Sequence, residues 1–252
     1  MSPRGTSKAT TRRGHEPDLS VERALVSPGA LLACVDEVGR GSLAGPVSVG
    51  LVIIDPHAGD APVGIRDSKD LSAHARQALI AAIEDWVVAG AVGHASAEEI
   101  DAHGIVPALR LAGHRAWTAA LAALAASAAG DASAAAVENG RPSAPSAILL
   151  DGSHDWFTPQ LLDALTHAPD DDLAEVTAPV TTRVKADRDC AGVGAASVLA
   201  KVERDAIMDA LDRDHPGFGW AQNKGYGTAA HKEAIQTMGA GVYHRRTWHL
   251  GA

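Results

Sequence analysis

Cysteine is scarce in this 252-residue chain. Cys34 and Cys190 each lie inside an apolar run, so a disulfide framework or a thiolate metal site has little support, and buried free thiols are the simpler reading. No apolar stretch is long enough to cross a bilayer. The segment from Met1 to Gly14 is basic and polar and lacks the apolar centre of a secretory signal, so a cytoplasmic chain with no membrane partner is expected. Positive charge is also in deficit, with 22 Lys and Arg against 31 Asp and Glu and a net charge of -9. That balance argues against a protein that coats nucleic acid non-specifically, because phosphate binding draws on clustered cations. It does not argue against a nuclease whose carboxylates hold divalent ions, since bound metal supplies the positive charge. Neither a GxGxxG nor a GxxxxGK[ST] phosphate loop is present.

With 46% hydrophobic residues the chain can bury a real core. Residues 1–29 mix Arg, Lys, Ser, Gly and Pro without periodicity and read as a flexible tail, with a short helix near Val21 to Leu25. Ala30 to Val35 and Val47 to Ile54 read as buried strands. Ser72 is a helix N-cap signal followed by Ala75, Ala78, Leu79, Ile83 and Trp86 at helical spacing up to Gly90. Ser96 and Glu99 form a capping-box pattern, and a long helix is expected over Ile105 to Ala128. An Ala-rich low-complexity insertion at about 127–146 precedes a strand from Ala147 to Leu150. Beyond it come a short helix (Pro159 to Leu165), a strand (Thr181 to Lys185) and helices over Gly194 to Leu211 and Thr228 to Met238. The pattern predicts a mixed α/β domain over 30–213 and a helical C-terminal region over 214–252.

Carboxylates fall where buried strands end. Asp36 and Glu37 follow one apolar run, Asp151 follows Ile148-Leu149-Leu150, and Asp187 comes just past the strand ending at Lys185. Ionised carboxylates beside a core are costly unless paired or metal-bound. Any one of them is ordinarily a cap or an exposed turn residue. Four in matching positions suggest an oxygen-ligand site for divalent cations, although the residues alone leave both readings open. The run Asp36-Glu37-Val38-Gly39-Arg40-Gly41 adds glycines on both sides of an arginine, which allow a sharp turn and close approach to a ligand.

Taken in order, DEVGRG (Asp36 to Gly41), LAGPV (Leu43 to Val47), DSK (from Asp67), LLDG (Leu149 to Gly152), KAD (Lys185 to Asp187), AASVLAKVERD (Ala195 to Asp205) and KGYGT (Lys224 to Thr228) resemble ribonuclease HII. The resemblance spans nearly the whole folded chain. It implies a ribonuclease H-like mixed β-sheet flanked by helices, with a helical C-terminal region that helps bind substrate. It also implies an endoribonuclease that cuts the RNA strand of RNA–DNA hybrids and DNA containing ribonucleotides. By the same resemblance Asp36, Glu37, Asp151 and Asp187 are the catalytic, metal-binding acids for Mn²⁺ or Mg²⁺. Gly39, Arg40 and Gly41 are assigned to the ribose 2′-hydroxyl, Tyr226 to the sugar beside the RNA-to-DNA junction, and Lys69, Lys201, Arg204 and Lys224 to phosphates. A monomer is expected.

Some positions depart from the commonest pattern. Val38 and Ser42 stand where Ala and Pro are frequent, and Asp70 replaces a frequent second lysine. The segments before Ala147 and between Asp151 and Lys185 look extended. Ribonuclease HIII shares the chemistry but usually carries a sizeable N-terminal domain and lacks the Gly-Arg-Gly form. A catalytically silent binding protein would be expected to lack one or more of the acids, and a phosphatase gives no reason for the Gly-Arg-Gly and Lys-Gly-Tyr segments.

Overall fold

The computed structural model describes residues 16–130, 142–159 and 173–251. Two apolar runs make the centre of one sheet. Strand β1 (Leu32–Val38) pairs antiparallel with β2 (Val47–Ile54), whose eight residues are all buried. A third strand, β3 (Ala89–Ala95), closes one edge antiparallel to β2, while β4 (Ala147–Asp151) and β5 (Val180–Arg183) add parallel strands on the other side. The order is β3-β2-β1-β4-β5.

Period-two alternation sends Ala33, Val35, Leu51 and Ile53 to one face and Leu32, Cys34, Val52 and Ile54 to the other. The first face is covered by the long helix α4 (Ile105–Gly130), which contributes Leu109, Ala112, Ala116 and Trp117. The second is covered by α6 (Ala191–Asp214), with Val193, Ala195, Ala196 and Val198. Helix α6 approaches β2 so closely that a Cβ on Gly50 would lie 2.1 Å from the Ala196 carbonyl oxygen. Each large aliphatic side chain buried in these layers contributes about 1.5–3 kcal/mol.

Three helix starts are set by side chains, two of them with caps that the sequence signals. Ser72 caps α2 (Ala73–Trp86) by accepting from the Ala75 N–H, and Ser96 and Glu99 make a reciprocal capping box at α3 (Ala97–His103). The short helix α7 (Trp220–Asn223) follows α6, and Thr228 caps α8 (Ala229–Met238). Among the described residues no helix is long and apolar enough to cross a membrane.

Several expectations need correction. β1 runs on to Val38, so Asp36 and Glu37 lie within a strand rather than after one. The stretch from Ala89 to Ala95 is an edge strand, where the apolar spacing had suggested continued helix to Gly90. Its Gly- and Ala-rich sequence carries little β propensity, and pairing with β2 decides its state. Residues 16–29 are not a loose tail. They include α1 (Ser20–Leu25), and Leu19, Glu22 and Val26 are buried. Leu19 and Val26 pack with Cys34, Cys190 and Ala191, so apolar burial holds a segment of low apparent periodicity. Residues 1–15, most of the Ala-rich insertion (131–141) and the helix expected from Pro159 to Leu165 (all but Pro159) lie outside the described residues.

Candidate active site

The register of the central strands brings the acids together. Val35 pairs with Leu150 across the parallel β1–β4 ladder, so the next residues, Asp36 within β1 and Asp151 at the end of β4, stand side by side. Asp36 is buried on the α6 face; one of its oxygens accepts the Glu37 N–H at 2.8 Å, and the other, Oδ2, is buried with no protein partner. Asp151 reaches across to the next turn, where Oδ1 accepts the N–H of Ala186 at 2.7 Å. That turn begins at Lys185, a non-glycine residue at φ 64, and winds into the short helix α5 (Ala186–Asp189). The left-handed conformation costs roughly 1–2 kcal/mol, and it turns the chain so that Asp187 comes back beside Asp151.

The electrostatics are those of a crowded carboxylate cluster. Burial, then the charges of Glu37, Asp151 and Asp187, push the Asp36 carboxyl well above its usual range. Glu37 is also raised, by burial first, and Arg40 opposes this from 3.3 Å. Asp187 is raised by burial and by Asp151, with the Lys69 ammonium opposing from 3.3 Å. Lys69 is held above its ordinary value because Asp36, Asp67 and Asp187 outweigh its own partial burial. The acids face one another without closing on a common centre. Among the described residues no three His, Cys, Asp or Glu side chains already form a metal-binding group. An orphaned buried carboxylate oxygen and three acids with raised proton affinity are what an oxygen-ligand cation would relieve, so these residues fit a divalent metal.

Asp67, which the sequence reading did not single out, is part of this site. It is buried, accepts the Lys69 N–H at 2.9 Å, and lies 3.3 Å from Arg188 Nε and 3.6 Å from Lys69 Nζ. Although burial opposes it, these partners hold its carboxyl below the usual range. Its signal was the first letter of the Asp-Ser-Lys motif. A cleft of about 570 Å³ opens beside it, lined in part by Arg66, Lys185 and Arg188.

Next to the acids, β1 leaves the sheet through the Gly39–Gly41 turn. Gly39 has φ 84, and a Cβ there would fall 2.0 Å from Arg204 Nε, so only glycine fits over that guanidinium. The turn meets the Lys-Gly-Tyr loop directly, since the Gly225 carbonyl accepts the N–H groups of Leu43 and Ala44 at 2.8 and 3.2 Å. Tyr226 is 39% exposed, with one face of its ring over Arg204.

The four expected phosphate contacts separate. Lys69 is well exposed beside the acids. Lys201 is largely buried and ion-paired with Asp205, and Lys224 is paired with Asp209. Arg204 is fully buried and cannot meet a phosphate. It donates to the carbonyls of Pro46, Lys224 and Ala44 and to the Ser42 hydroxyl, at 2.8, 2.9, 3.2 and 2.9 Å. A charge placed on an amphipathic helix reads as surface in sequence, and only the loops packed over it reveal otherwise. Arg245, visible in the sequence as part of a basic end, is fully buried under the same turn.

A family model described as ribonuclease HII matches residues 33–250. The chain belongs to the ribonuclease HII family. It is 40% identical over 236 residues to ribonuclease HII of Streptomyces coelicolor, covering 92% of this chain and 83% of that one. Its fold is similar to the crystal structure of ribonuclease H2 from Pyrococcus horikoshii OT3, with a TM-score of 0.58 and 25% identity over 87% of this chain and 94% of that one. It is also similar in fold to Bst-RNase HIII in complex with Mn²⁺, with a TM-score of 0.55 and 21% identity over 86% of this chain and 65% of that one. Membership of the ribonuclease HII family makes this a metal-dependent endoribonuclease of the ribonuclease H type, acting on RNA–DNA hybrids.

Proposed function

We propose that the enzyme hydrolyses the RNA strand of RNA–DNA hybrids and cuts at single ribonucleotides embedded in DNA, using Asp36, Glu37, Asp151 and Asp187 as its metal ligands. The observation that carries this reading is the gathering of the four acids on β1, β4 and α5, where Asp36, Glu37 and Asp187 are raised by burial and by neighbouring carboxylates and Asp151 reaches across to the start of α5. Two divalent cations, Mg²⁺ or Mn²⁺, would supply an activated water and stabilise the departing 3′-oxygen, leaving 5′-phosphate and 3′-hydroxyl ends. That Bst-RNase HIII, similar in fold, is in complex with Mn²⁺ supports a divalent cation as the cofactor.

The chain's own residues do the rest. Lys69, anchored by Asp67, presents an ammonium next to Asp187, where a substrate phosphate would meet the acids. Arg40 lies half-exposed beside Glu37 and is free to turn towards a neighbouring phosphate. Main-chain groups of Gly39–Gly41 contact the ribose 2′-hydroxyl, the one group that separates RNA from DNA at a given position. The exposed ring of Tyr226 packs on the sugar beside the junction. This reading calls on no residue from a second copy, and it takes a cytoplasmic monomer as the working form.

The test is a set of three duplexes: DNA with one ribonucleotide, a continuous RNA–DNA hybrid, and all DNA, each incubated with and without Mg²⁺ or Mn²⁺. Cleavage of the first two only, and only with metal, is expected. Cleavage of all three, or of none, would refute the assignment.

A further inference from the structure

Arg245 spends a buried charge on main-chain carbonyls. It is completely buried, and among the described residues no carboxylate is ion-paired with it. Nη2 donates to the Gly39 carbonyl at 2.7 Å and to that of Gly45 at 3.2 Å, and Nη1 donates to the Arg40 carbonyl at 2.8 Å. Trp248 covers its guanidinium at 4.9 Å. Charge-assisted bonds of this kind are stronger than neutral ones and fix the direction of their acceptors.

That direction has a consequence on the other side of the turn. Every peptide bond in the described chain is trans, and in a trans unit the C=O and N–H point opposite ways. Holding the Gly39 and Arg40 oxygens inward therefore turns the N–H groups of Arg40 and Gly41 outward. Neither N–H has a protein acceptor among the described residues. Two adjacent donors are thus left facing out of the turn that leads from Asp36 and Glu37.

We infer that Arg245 is a positioning residue for ribonucleotide recognition: from beneath the Gly39–Gly41 turn it orients the Arg40 and Gly41 N–H groups as a paired donor for the ribose 2′-oxygen. This rests on the reading above that the turn contacts the ribose. The C-terminal segment that carries Arg245 is itself pinned. Asp101 on α3 accepts the N–H groups of Arg246 and Thr247 at 2.7 and 3.0 Å, and the Arg245 N–H bonds to the Leu43 carbonyl at 2.9 Å. The chain end thereby acts as a strap that delivers one guanidinium to the turn.

The experiment is a double-mutant cycle on the full chain, read as kcat and KM for a duplex bearing one ribonucleotide. Gly41→Pro deletes one of the two outward donors at a position where a Cβ would meet open space, and Gly41→Ala is the control that keeps it. Arg245→Met keeps the bulk and removes the fork. Each of Gly41→Pro and Arg245→Met is expected to lower kcat by roughly ten- to a hundredfold with KM within about twofold. The double variant should be little worse than the poorer single, because both act through the same donors. Multiplying losses, or a folded Arg245→Met with unchanged kcat, would overturn the inference. If Arg245→Met does not fold, Arg245→Lys, which keeps the charge and one donor, goes through the same cycle with the same two outcomes. A wild-type enzyme that cuts the duplex, inactive Gly41→Pro and an unaffected Arg245 variant would remove the role of Arg245 alone. Failure of the wild-type enzyme to cut would remove the functional reading.

Discussion

Arg204 lies beneath Tyr226, its guanidinium carbon 5.7 Å from the ring centroid. The pair joins α6 to the Lys-Gly-Tyr loop, and the same arginine ties in Ser42, Ala44 and Pro46. Its work is therefore structural. Arg204→Met is expected to destabilise the fold by about 3 kcal/mol, since several buried carbonyls lose a charged donor. It should leave the salt dependence of duplex binding unchanged. Lys69→Ala should do the reverse, lowering the slope of log K against log salt by about one while hardly changing stability. Thermal melts and binding at several salt concentrations check both, and a lowered slope for a folded Arg204→Met would restore it as a phosphate contact.

Tyr226 presents an exposed ring whose inner face is already occupied by that guanidinium. Tyr226→Ala should cost more on a single embedded ribonucleotide than on a continuous hybrid, by about ten- to a hundredfold for one lost stacking contact. Tyr226→Phe, which keeps the face, should cost much less. Kinetics on the two substrates decide the matter. Equal losses on both, with a lowered melting temperature, would make the ring a packing element only.

Two buried groups give stability opposite pH slopes. Burial raises the Glu22 carboxyl from 4.5 to about 7. The folded state then binds that proton more tightly than the unfolded chain, so its contribution is full below about 4.5 and lost as pH rises through about 7, roughly 3 kcal/mol in all. His244 runs the other way. Burial, then His231, lowers it from 6.5 to about 4, so its contribution is present above 6.5 and lost as pH falls through about 4. Relative to wild type, Glu22→Gln should gain melting temperature as pH rises, while His244→Phe should gain as pH falls. Melts across this window for the three proteins test the signs, and parallel curves would contradict both.

Much of the site was legible because its signals are local. The acids beside the apolar runs and the Gly-Arg-Gly turn are short strings that stand out in the letters, the roles expected of them and of the Lys-Gly-Tyr loop come from the resemblance to ribonuclease HII, and helices α2 and α3 carry their own start signals. What was not legible depends on pairing and burial between distant segments. β3 exists because β2 offers it a ladder. Leu19 to Val26 is ordered because Cys190 and Ala191 cover it, and Asp18 bridges to Cys190. Arg204 and Arg245 look like surface cations until the loops from Gly39 to Gly45 close over them. Asp67 gains its role only when Arg188, 121 residues away, meets it.

The central claim is that the carboxylates of β1 and β4 hold catalytic metal. Single-turnover cleavage of a one-ribonucleotide duplex, titrated with Mn²⁺ or Mg²⁺ for wild type, Asp36→Asn and Asp151→Asn, tests it most directly. The wild-type rate should rise from nothing with added metal. Both variants should remain folded, with melting temperatures equal to or above wild type because a repelling charge is removed, and should lose roughly a hundredfold or more in rate at saturating metal. Full activity in either folded variant, or metal-independent cleavage by wild type, would contradict the account.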